Sequence, residues 1–576
     1  MSNRRGPAVT CVSVFVRMAA SCNTIRRSRI PATNRPTTMP RLSRRHLLGA
    51  GLGATVLPNA AAVAAAKARA TPASTAGDAV EERSLADLAA AMAAGRTSAE
   101  RLVAAYTKRI ERLDRAGPKL SSVIELNPDA PSIAKALDVE LRRTGRPRSP
   151  LHGMPILVKD NIDTAGRMLT TAGSLALADT RPGEDAFVVQ RLRAAGAVIL
   201  GKANLSEWAN IRSSQSTSGW SARGGLARNP YVLDRDTSGS SSGSAVAAAA
   251  SLCAAAVGTE TDGSILSPSS ICALVGLKPT VGLISRSGII PIAPSQDTAG
   301  PMARSVRDCA LLLAGMVGTD PRDDATLGAP SAPVDYLAAL DANALKGARL
   351  GVVRQFFGFH DIVERAYVPV LAALERAGAV LVDPVKLPDF DNNVNEAEMT
   401  VLLYELKTHL NAYLAKRGSA SQVKTLADVI AFNERHAERE LAWFGQDLFI
   451  KAQAKGALTD DDYLKARALC LTIARTDGIE AAMREHRLDA LIAPTGGPAW
   501  RSDTVLGDHY VGSSTSPAAI AGLPSLTVPA AEIRGLPLGL NFFGSAWSEA
   551  RLLALGYAFE QATQARKPPR YLKSVD

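Results

Sequence analysis

An apolar, alanine-rich segment between two loops of glycine and serine is the feature that most constrains this chain. Residues 244–256 read SAVAAAASLCAAA, which would be apolar on nearly every side of a helix. A helix without a polar face must be buried in a large core. The chain can supply that core, because 46% of its 576 residues are hydrophobic and only 21% are charged. We therefore predict a fully buried helix over 244–256.

The two flanking loops are expected to lie side by side. They are residues 237–244 (TSGSSSGS) and 258–270 (GTETDGSILSPSS). The predicted helix advances about 20 Å, and the extended residues 257–263 return about 23 Å. Because the two paths nearly match, Ser240 and Ser264 should be neighbours although they lie far apart in the sequence.

Outside this region, short apolar runs typical of buried strands alternate with helical patterns. A helix is predicted to begin at Thr97 or Ser98 and to stop at Gly117-Pro118. Residues 390–487 are mostly helical in pattern, which indicates a helical insertion. Alternation of this kind predicts an α/β fold with a covered sheet. The predicted strands are 154–158, 197–200, 350–353, 380–382, 488–493 and 526–528.

The positive charge of the chain is concentrated at its N-terminus. The formal net charge is +11, but residues 1–70 hold 12 of the 66 basic residues and no acidic one. The remaining residues are therefore nearly neutral, and no nucleic-acid partner is expected.

The same N-terminal segment resembles an export signal. A twin-arginine pattern at 43–48 (SRRHLL) precedes a short apolar run at 47–57 and small-residue cleavage sites at 64–66 and 68–70. We predict a removable leader over residues 1–70, with the signal at 39–70, and a periplasmic or secreted protein that meets the twin-arginine export machinery. No later run reaches 18 apolar residues, so the mature protein should be soluble, without stable membrane insertion.

The cysteines and histidines show none of the spacings that bind metals. No C-x-x-C or H-E-x-x-H pattern occurs, and the histidines of the mature chain are scattered. We expect neither a metal nor an organic cofactor.

One motif suggests a serine esterase of the α/β-hydrolase type. Residues 239–243 (GSSSG) match G-x-S-x-G, which would make Ser241 the nucleophile, with His509 as a candidate partner. The motif requires a buried strand directly before it, and the preceding residues 231–237 (YVLDRDT) do not form an apolar run. This interpretation is kept as an alternative.

Three motifs together resemble the amidase signature family in order and spacing. They are residues 157–162 (LVKDNI), the loop 239–243, and residues 258–265 (GTETDGSI). Residues 204–210, 218–225 and 295–306 are similar to the peptide-amidase branch of that family. The likeness extends over about residues 81–570, which we take as the amidase domain.

The resemblance implies a mixed central β-sheet covered by α-helices and a Ser-cisSer-Lys triad. Ser264 matches the family's nucleophile, Ser240 the bridging serine on a cis peptide, and Lys159 the base. Leu266 stands where many members have an arginine, and Asn541 where many have a glutamine. The backbone N–H groups that match the family's oxyanion hole are those of Thr261, Asp262, Gly263 and Ser264.

The residue types also fit the implied chemistry. A serine hydroxyl needs a neighbouring base, and none of the three motifs contains a histidine. A lysine with an ordinary pKa of ~10.4 would require roughly 4.6 kcal/mol to be neutral at pH 7. Lys159 follows an apolar strand, where burial can lower its pKa. Ser240 could then pass a proton between Lys159 and Ser264, because a hydroxyl both donates and accepts.

The resemblance implies an amidase that hydrolyses a carboxamide to a carboxylate and ammonia through an acyl-enzyme. The substrate would be a small-molecule or peptide amide, with the C-terminal amide of peptides as a candidate. One alternative is an amidotransferase subunit of the same family, which would need cytoplasmic ATP and aminoacyl-tRNA. Another is an exported binding protein without activity, which the intact set of Lys159, Ser240 and Ser264 disfavours.

The leader generates a prediction of its own. A fusion of residues 39–70 to a folded reporter should leave the cytoplasm, because a twin-arginine signal is read by a dedicated receptor. Replacing both arginines, Arg44→Lys with Arg45→Lys, should retain the reporter inside the cell. Fractionation measures the outcome, and unchanged export of the double variant would contradict the twin-arginine interpretation.

Overall fold

A mixed β-sheet runs through the part of the chain that the structure describes. This computed structural model describes residues 79–330, 332, 334–390 and 392–575, so the predicted leader lies outside the described residues. Within those ranges, eleven strands form the sheet and helices cover it. The α/β class and the mixed central sheet are therefore confirmed.

The strands are defined here in chain order. They are β1 (Val123–Leu126), β2 (Pro155–Lys159), β3 (Val198–Ala203), β4 (Trp220–Ser221), β5 (Gly225–Leu226), β6 (Ala255–Glu260), β7 (Val275–Lys278), β8 (Thr298–Ala303), β9 (Arg349–Val352), β10 (Val380–Val382), β11 (Ala490–Pro494), β12 (Ser525–Ile533) and β13 (Leu536–Phe543). The sheet has the order β1-β3-β2-β6-β8-β7-β12-β13-β11-β9-β10, and β4 pairs with β5 separately. Strand β2 is parallel to β3 and β6, and β9 is parallel to β10 and β11.

The helices surround this sheet. They are α1 (Leu85–Ala93), α2 (Ala99–Ile110), α3 (Ala130–Thr144), α4 (Phe187–Ala194), α5 (Ser242–Ala249), α6 (Leu266–Ile271), α7 (Val306–Ala314), α8 (Asp361–Arg376), α9 (Asn392–Ala415), α10 (Leu426–Arg435), α11 (Ala437–Glu440), α12 (Asp447–Gln453), α13 (Asp461–Leu471), α14 (Glu480–Glu485), α15 (Ser516–Ile520) and α16 (Glu549–Thr563). Helices α9 to α14 occupy 392–485, and the described residues of 390–487 contain no strand. Short 3₁₀ turns lie at Leu175–Leu177, Glu207–Asn210, Asp324–Gly328 and Arg354–Phe356, and π-type turns at Glu111–Arg115 and Thr472–Ile479.

The local sequence signals account for several of these elements. Each of the six predicted strands is present: 380–382 coincides with β10, and the ends of the other five are shifted by one to five residues. Helix α2 begins where the sequence predicts, because the Ser98 side chain accepts a hydrogen bond from the backbone N–H of Arg101. Its last turn continues as a π-type turn, Glu111–Arg115, just before Gly117-Pro118.

The buried helix predicted over 244–256 is shorter than expected. Helix α5 ends at Ala249, and Ala255 and Ala256 already belong to β6, where they pair with β2. The prediction failed because an apolar alanine run is equally compatible with a buried helix and a buried strand. Both parts are fully buried, as predicted, and the flanking loops do meet: the backbone N–H of Ser241 donates to the carbonyl oxygen of Ser264 at 3.1 Å.

Close packing beneath α5 generates a stability prediction. A Cβ on Gly243 would lie 2.3 Å from the carbonyl oxygen of Ser122 and 2.5 Å from that of Asn204. Gly243→Ala should therefore destabilise the protein by about 1–3 kcal/mol, although alanine normally stabilises a helix. Gly328→Ala is the control, because a Cβ there meets no atom within 4 Å. Equal free energies of unfolding for the two variants, measured in urea, would contradict the close packing.

Candidate active site

The candidate site lies where two parallel strands end. Strands β2 and β6 are neighbours in the sheet, and Lys159 is the last residue of β2. Since parallel strands end at the same edge of a sheet, Lys159 comes next to Thr259 near the end of β6. The loop that follows β6 contains Ser264, and the loop before α5 contains Ser240.

The Lys159 amine is held by three hydrogen bonds. Its Nζ lies 2.7 Å from Ser240 Oγ, 3.1 Å from the carbonyl oxygen of Thr259 and 3.0 Å from Thr259 Oγ1. Asn161 Nδ2 also donates to Thr259 Oγ1, at 3.0 Å. Thr259 therefore fixes the direction of the lysine amine toward Ser240.

Burial dominates the electrostatics of this lysine. Lys159 is fully buried, and no described carboxylate oxygen lies within 4.0 Å of its Nζ. Desolvation lowers its pKa to about 7, while the more distant charges of Glu260 and Asp297 act in the opposite direction. An amine that is substantially neutral near pH 7 can accept a proton.

The two serine loops meet around this amine. Ser240 is fully buried, and the Gly239-Ser240 peptide is cis, as the resemblance implies. The loops are joined by the Ser241–Ser264 backbone hydrogen bond and by Ser238 Oγ, which lies 2.8 Å from Ser267 Oγ. Ser264 retains 8% exposure, and no hydrogen bond joins its Oγ to another described residue.

The turn before Ser264 presents unused backbone donors. Gly263 adopts a φ of 74°, a left-handed conformation that favours glycine. No described residue accepts a hydrogen bond from the backbone N–H groups of Thr261, Asp262, Gly263 or Ser264. Successive free N–H groups of this kind can bind a negatively charged oxygen.

Carboxylates hold both ends of this turn. Glu260 Oε2 accepts hydrogen bonds from the backbone N–H groups of Ile265 at 2.6 Å and Leu266 at 2.9 Å. Asp297 Oδ1 accepts one from Thr261 Oγ1 at 2.5 Å. Glu260 thus supports the loop at Leu266, the position where the resemblance leads us to expect an arginine in many members.

The side chain of Asp262 points to another part of the protein. It accepts hydrogen bonds from Thr515 Oγ1 at 2.9 Å and Ser516 Oγ at 2.6 Å. Burial raises the pKa of this carboxyl, and those hydrogen bonds partly offset the effect. The Asp262 side chain is therefore occupied, while its backbone N–H stays available.

The contacts of Ser241 and His509 do not fit the esterase alternative, in which Ser241 would be the nucleophile. Ser241 Oγ donates to the carbonyl oxygen of Thr259 at 3.0 Å and accepts from its backbone N–H at 3.2 Å. His509 is an exposed side chain whose Nε2 faces Asp503 Oδ2 at 3.8 Å. Among the described residues no strand lies directly before the loop, so the strand that this motif requires is missing as well.

The structure also reveals residues that the sequence analysis did not single out. Thr259, Asn161 and Glu260 all contribute to the site. Each lies inside one of the quoted motifs, so motif membership was the available signal, but their contacts depend on the tertiary fold.

Among the described residues, no group of three or more His, Cys, Asp or Glu is placed to hold a metal, and no helix is long and apolar enough to cross a membrane.

Comparison with known proteins assigns the chain to a family. The family model for amidases matches residues 101–553. The chain belongs to the amidase signature family. A probable amidase from Arabidopsis thaliana is 40% identical over 501 residues, which cover 86% of this chain and 92% of the plant protein. These matches identify the protein as an amide hydrolase.

Two further proteins of known sequence or structure are similar to this chain. The sequence of the native peptide amidase from Stenotrophomonas maltophilia is 52% identical to this chain, and its X-ray structure matches this one with a TM-score of 0.80. The match covers 85% of this chain and 99% of that one. A glutamyl-tRNA(Gln) amidotransferase subunit from Halorhodospira halophila is 36% identical over 513 residues, which cover 85% of this chain and 99% of that protein. The amidase fold described above thus matches that of a peptide amidase of known structure.

Proposed function

We propose that this amidase hydrolyses carboxamides by a Ser-cisSer-Lys mechanism, with the C-terminal amide of peptides as its substrate class. The observation that carries the proposal is the 2.7 Å contact between Lys159 Nζ and Ser240 Oγ in a fully buried site next to Ser264. The substrate class is supported by the 52% identity to peptide amidase.

The first half of the reaction forms an acyl-enzyme. Neutral Lys159 accepts the proton of Ser240 Oγ, and Ser240 takes the proton of Ser264 as Ser264 Oγ attacks the amide carbon. The free N–H groups of residues 261–264 stabilise the oxyanion, and each such donor typically lowers the barrier by about 3–4 kcal/mol. The proton then returns through Ser240 to the amide nitrogen, the C–N bond breaks, and ammonia leaves.

Water completes the reaction. It attacks the ester carbon on Ser264, gives one proton to the Ser240–Lys159 pair, and forms a second tetrahedral intermediate at the same N–H groups. The ester bond breaks and the proton returns to Ser264 Oγ. The carboxylic acid that forms loses its remaining proton to solvent, and the carboxylate product dissociates.

Burial of Lys159 makes this mechanism effective near neutral pH. At a pKa of about 7, about half of the molecules hold a neutral amine at pH 7. At the ordinary pKa of ~10.4, the neutral fraction would be about one in 2,500. The lysine therefore becomes a usable base without a histidine.

We also propose that the protein works outside the cytoplasm, in the periplasm or as a secreted enzyme. The support is the twin-arginine pattern at 43–48, followed by an apolar run and small-residue sites. Export would separate the enzyme from cytoplasmic ATP and aminoacyl-tRNA.

A role within an amidotransferase is the second candidate, favoured by the 36% identity to the Halorhodospira halophila protein. An amidotransferase component of this kind would pass ammonia to a partner. The purified protein should instead release ammonia from amidated dipeptides without ATP, tRNA or a partner. Absence of release from any amide under these conditions would favour the amidotransferase role.

Substitutions at two of the three proposed catalytic residues, Ser264 and Lys159, test the mechanism. Ser264→Ala and Lys159→Ala should each reduce kcat by about a thousandfold or more, because the residues act as one unit. Ser241→Ala is the matched control in the same loop: it should lose about 1–3 kcal/mol of stability but keep most activity. Ammonia release measures all three, and an inactive, folded Ser241→Ala beside an active Lys159→Ala would overturn the assignment.

The pKa of Lys159 predicts the pH dependence. Because the protonated lysine cannot accept a proton, kcat/KM should fall as the pH decreases through about 7. Single substitutions of histidine by glutamine should leave this acidic limb in place in every variant that folds. A folded variant that lost both the limb and nearly all activity would contradict the lysine base. The histidines to be replaced are His152, His360, His409, His436, His486 and His509.

A further inference from the structure

Helix α9, the first helix of the segment 392–485, contacts the chain just before β8. Glu398 and Glu405 are seven residues apart on α9, so they lie on the same face of the helix. Glu405 Oε2 accepts a hydrogen bond from the backbone N–H of Ser295 at 2.9 Å, and its Oε1 accepts one from the Tyr463 hydroxyl at 2.9 Å. Glu398 Oε1 accepts one from Gln296 Nε2 at 2.9 Å.

Gln296 connects this helix to the proposed oxyanion turn. Its side chain is fully buried, and its Nε2 also donates to the carbonyl oxygen of Thr261 at 3.4 Å. The Thr261 carbonyl can only accept, so the amide is oriented with its Nε2 toward Thr261. The Gln296 side chain therefore spans the gap between Glu398 and Thr261.

The bond to Thr261 has a direct consequence for catalysis. The Thr261 carbonyl and the Asp262 N–H belong to the same planar peptide group and point in opposite directions. Fixing the carbonyl oxygen therefore fixes the direction of the Asp262 N–H, one of the four donors without an acceptor among the described residues. The other side of Thr261 is held separately by Asp297.

We propose that Glu398 is a positioning residue for the oxyanion turn and acts through Gln296. The inference rests on the proposed function, because it assigns the Asp262 N–H to the transition state. It makes helix α9 a supporting part of the active site, although Glu398 does not touch the reacting atoms.

The protonation state of Glu398 suggests a conservative replacement. Burial, followed by the nearby charge of Asp262, raises the pKa of Glu398 to about 8. At pH 7 the neutral carboxyl therefore predominates, and its carbonyl oxygen accepts the Gln296 hydrogen bond. A glutamine has the same length and a similar amide oxygen, so Glu398→Gln should preserve the contact.

Single variants form the first part of the test. Glu398→Ala should lower kcat by about five- to tenfold, the effect of one lost hydrogen bond, with KM changed less than twofold. Glu398→Gln should stay within about twofold of the wild type. Glu396→Ala is the matched control, because Glu396 is exposed on the same helix. Should Glu398→Ala fail to fold, Glu398→Met removes the acceptor and keeps the side-chain length.

A double-mutant cycle shows whether Glu398 acts through Gln296. In a Gln296→Ala background, Glu398→Ala should have no further effect on kcat, since the connection is already broken. A full, additive loss in that background would overturn the proposal, as would a Glu398→Gln variant as impaired as Glu398→Ala. An effect confined to KM would overturn it too.

The same assay separates this proposal from the proposed function. Ammonia release by the wild type and its loss in Ser264→Ala report on the function itself. The Glu398 variants are compared with that active wild type under identical conditions. An active wild type with an additive cycle would reject only the role of Glu398, whereas an inactive wild type would reject the proposed function.

Discussion

The desolvation of Lys159 is the constraint on which the rest of the site depends. The amine lies at the end of β2, fully buried, and its contacts are two hydroxyl oxygens and one carbonyl oxygen. A carboxylate in direct contact would hold the proton on the lysine. The fold instead keeps Glu260 and Asp297 near enough to raise the pKa but outside ion-pair distance, which leaves a pKa of about 7.

The carboxylates of Glu260 and Asp297 accept hydrogen bonds from other residues, which explains why they do not form ion pairs with the lysine. Glu260 accepts hydrogen bonds from the backbone of Ile265 and Leu266, and Asp297 accepts one from Thr261 and two from Ile292 and Ala293. Glu260 Oε2 and both oxygens of Asp297 are therefore directed at N–H and O–H donors. Because the carboxylates accept from groups outside residues 261–264 or from the Thr261 side chain, the backbone donors of the turn remain free.

The contacts of helix α9 extend this arrangement beyond the sheet. Glu405 accepts a hydrogen bond from the backbone of Ser295, and Glu398 accepts one from the side chain of Gln296. Both residues directly precede Asp297 in the chain. The segment 295–297 is thus hydrogen-bonded to helix α9 on one side and to Thr261 of the turn on the other. The geometry of the proposed oxyanion site is therefore determined jointly by the sheet and by a helix distant in sequence.

The sequence by itself determined the class of fold, the strands with strong apolar runs, and the motifs that contain Lys159, Ser240 and Ser264. It did so because apolar runs, helical patterns and the residues of each motif can be recognised within short stretches of the chain. It could not place the boundary between α5 and β6, since an alanine run fits a buried helix and a buried strand equally well. Only the tertiary structure decided that Thr259 orients the lysine amine, that Glu260 supports the turn at Leu266, and that Glu398 reaches Thr261 through Gln296. Gln296 lies 102 residues from Glu398 and 35 residues from Thr261 in the sequence, so the hydrogen bonds of 2.9 Å and 3.4 Å that join them exist only after the chain has packed.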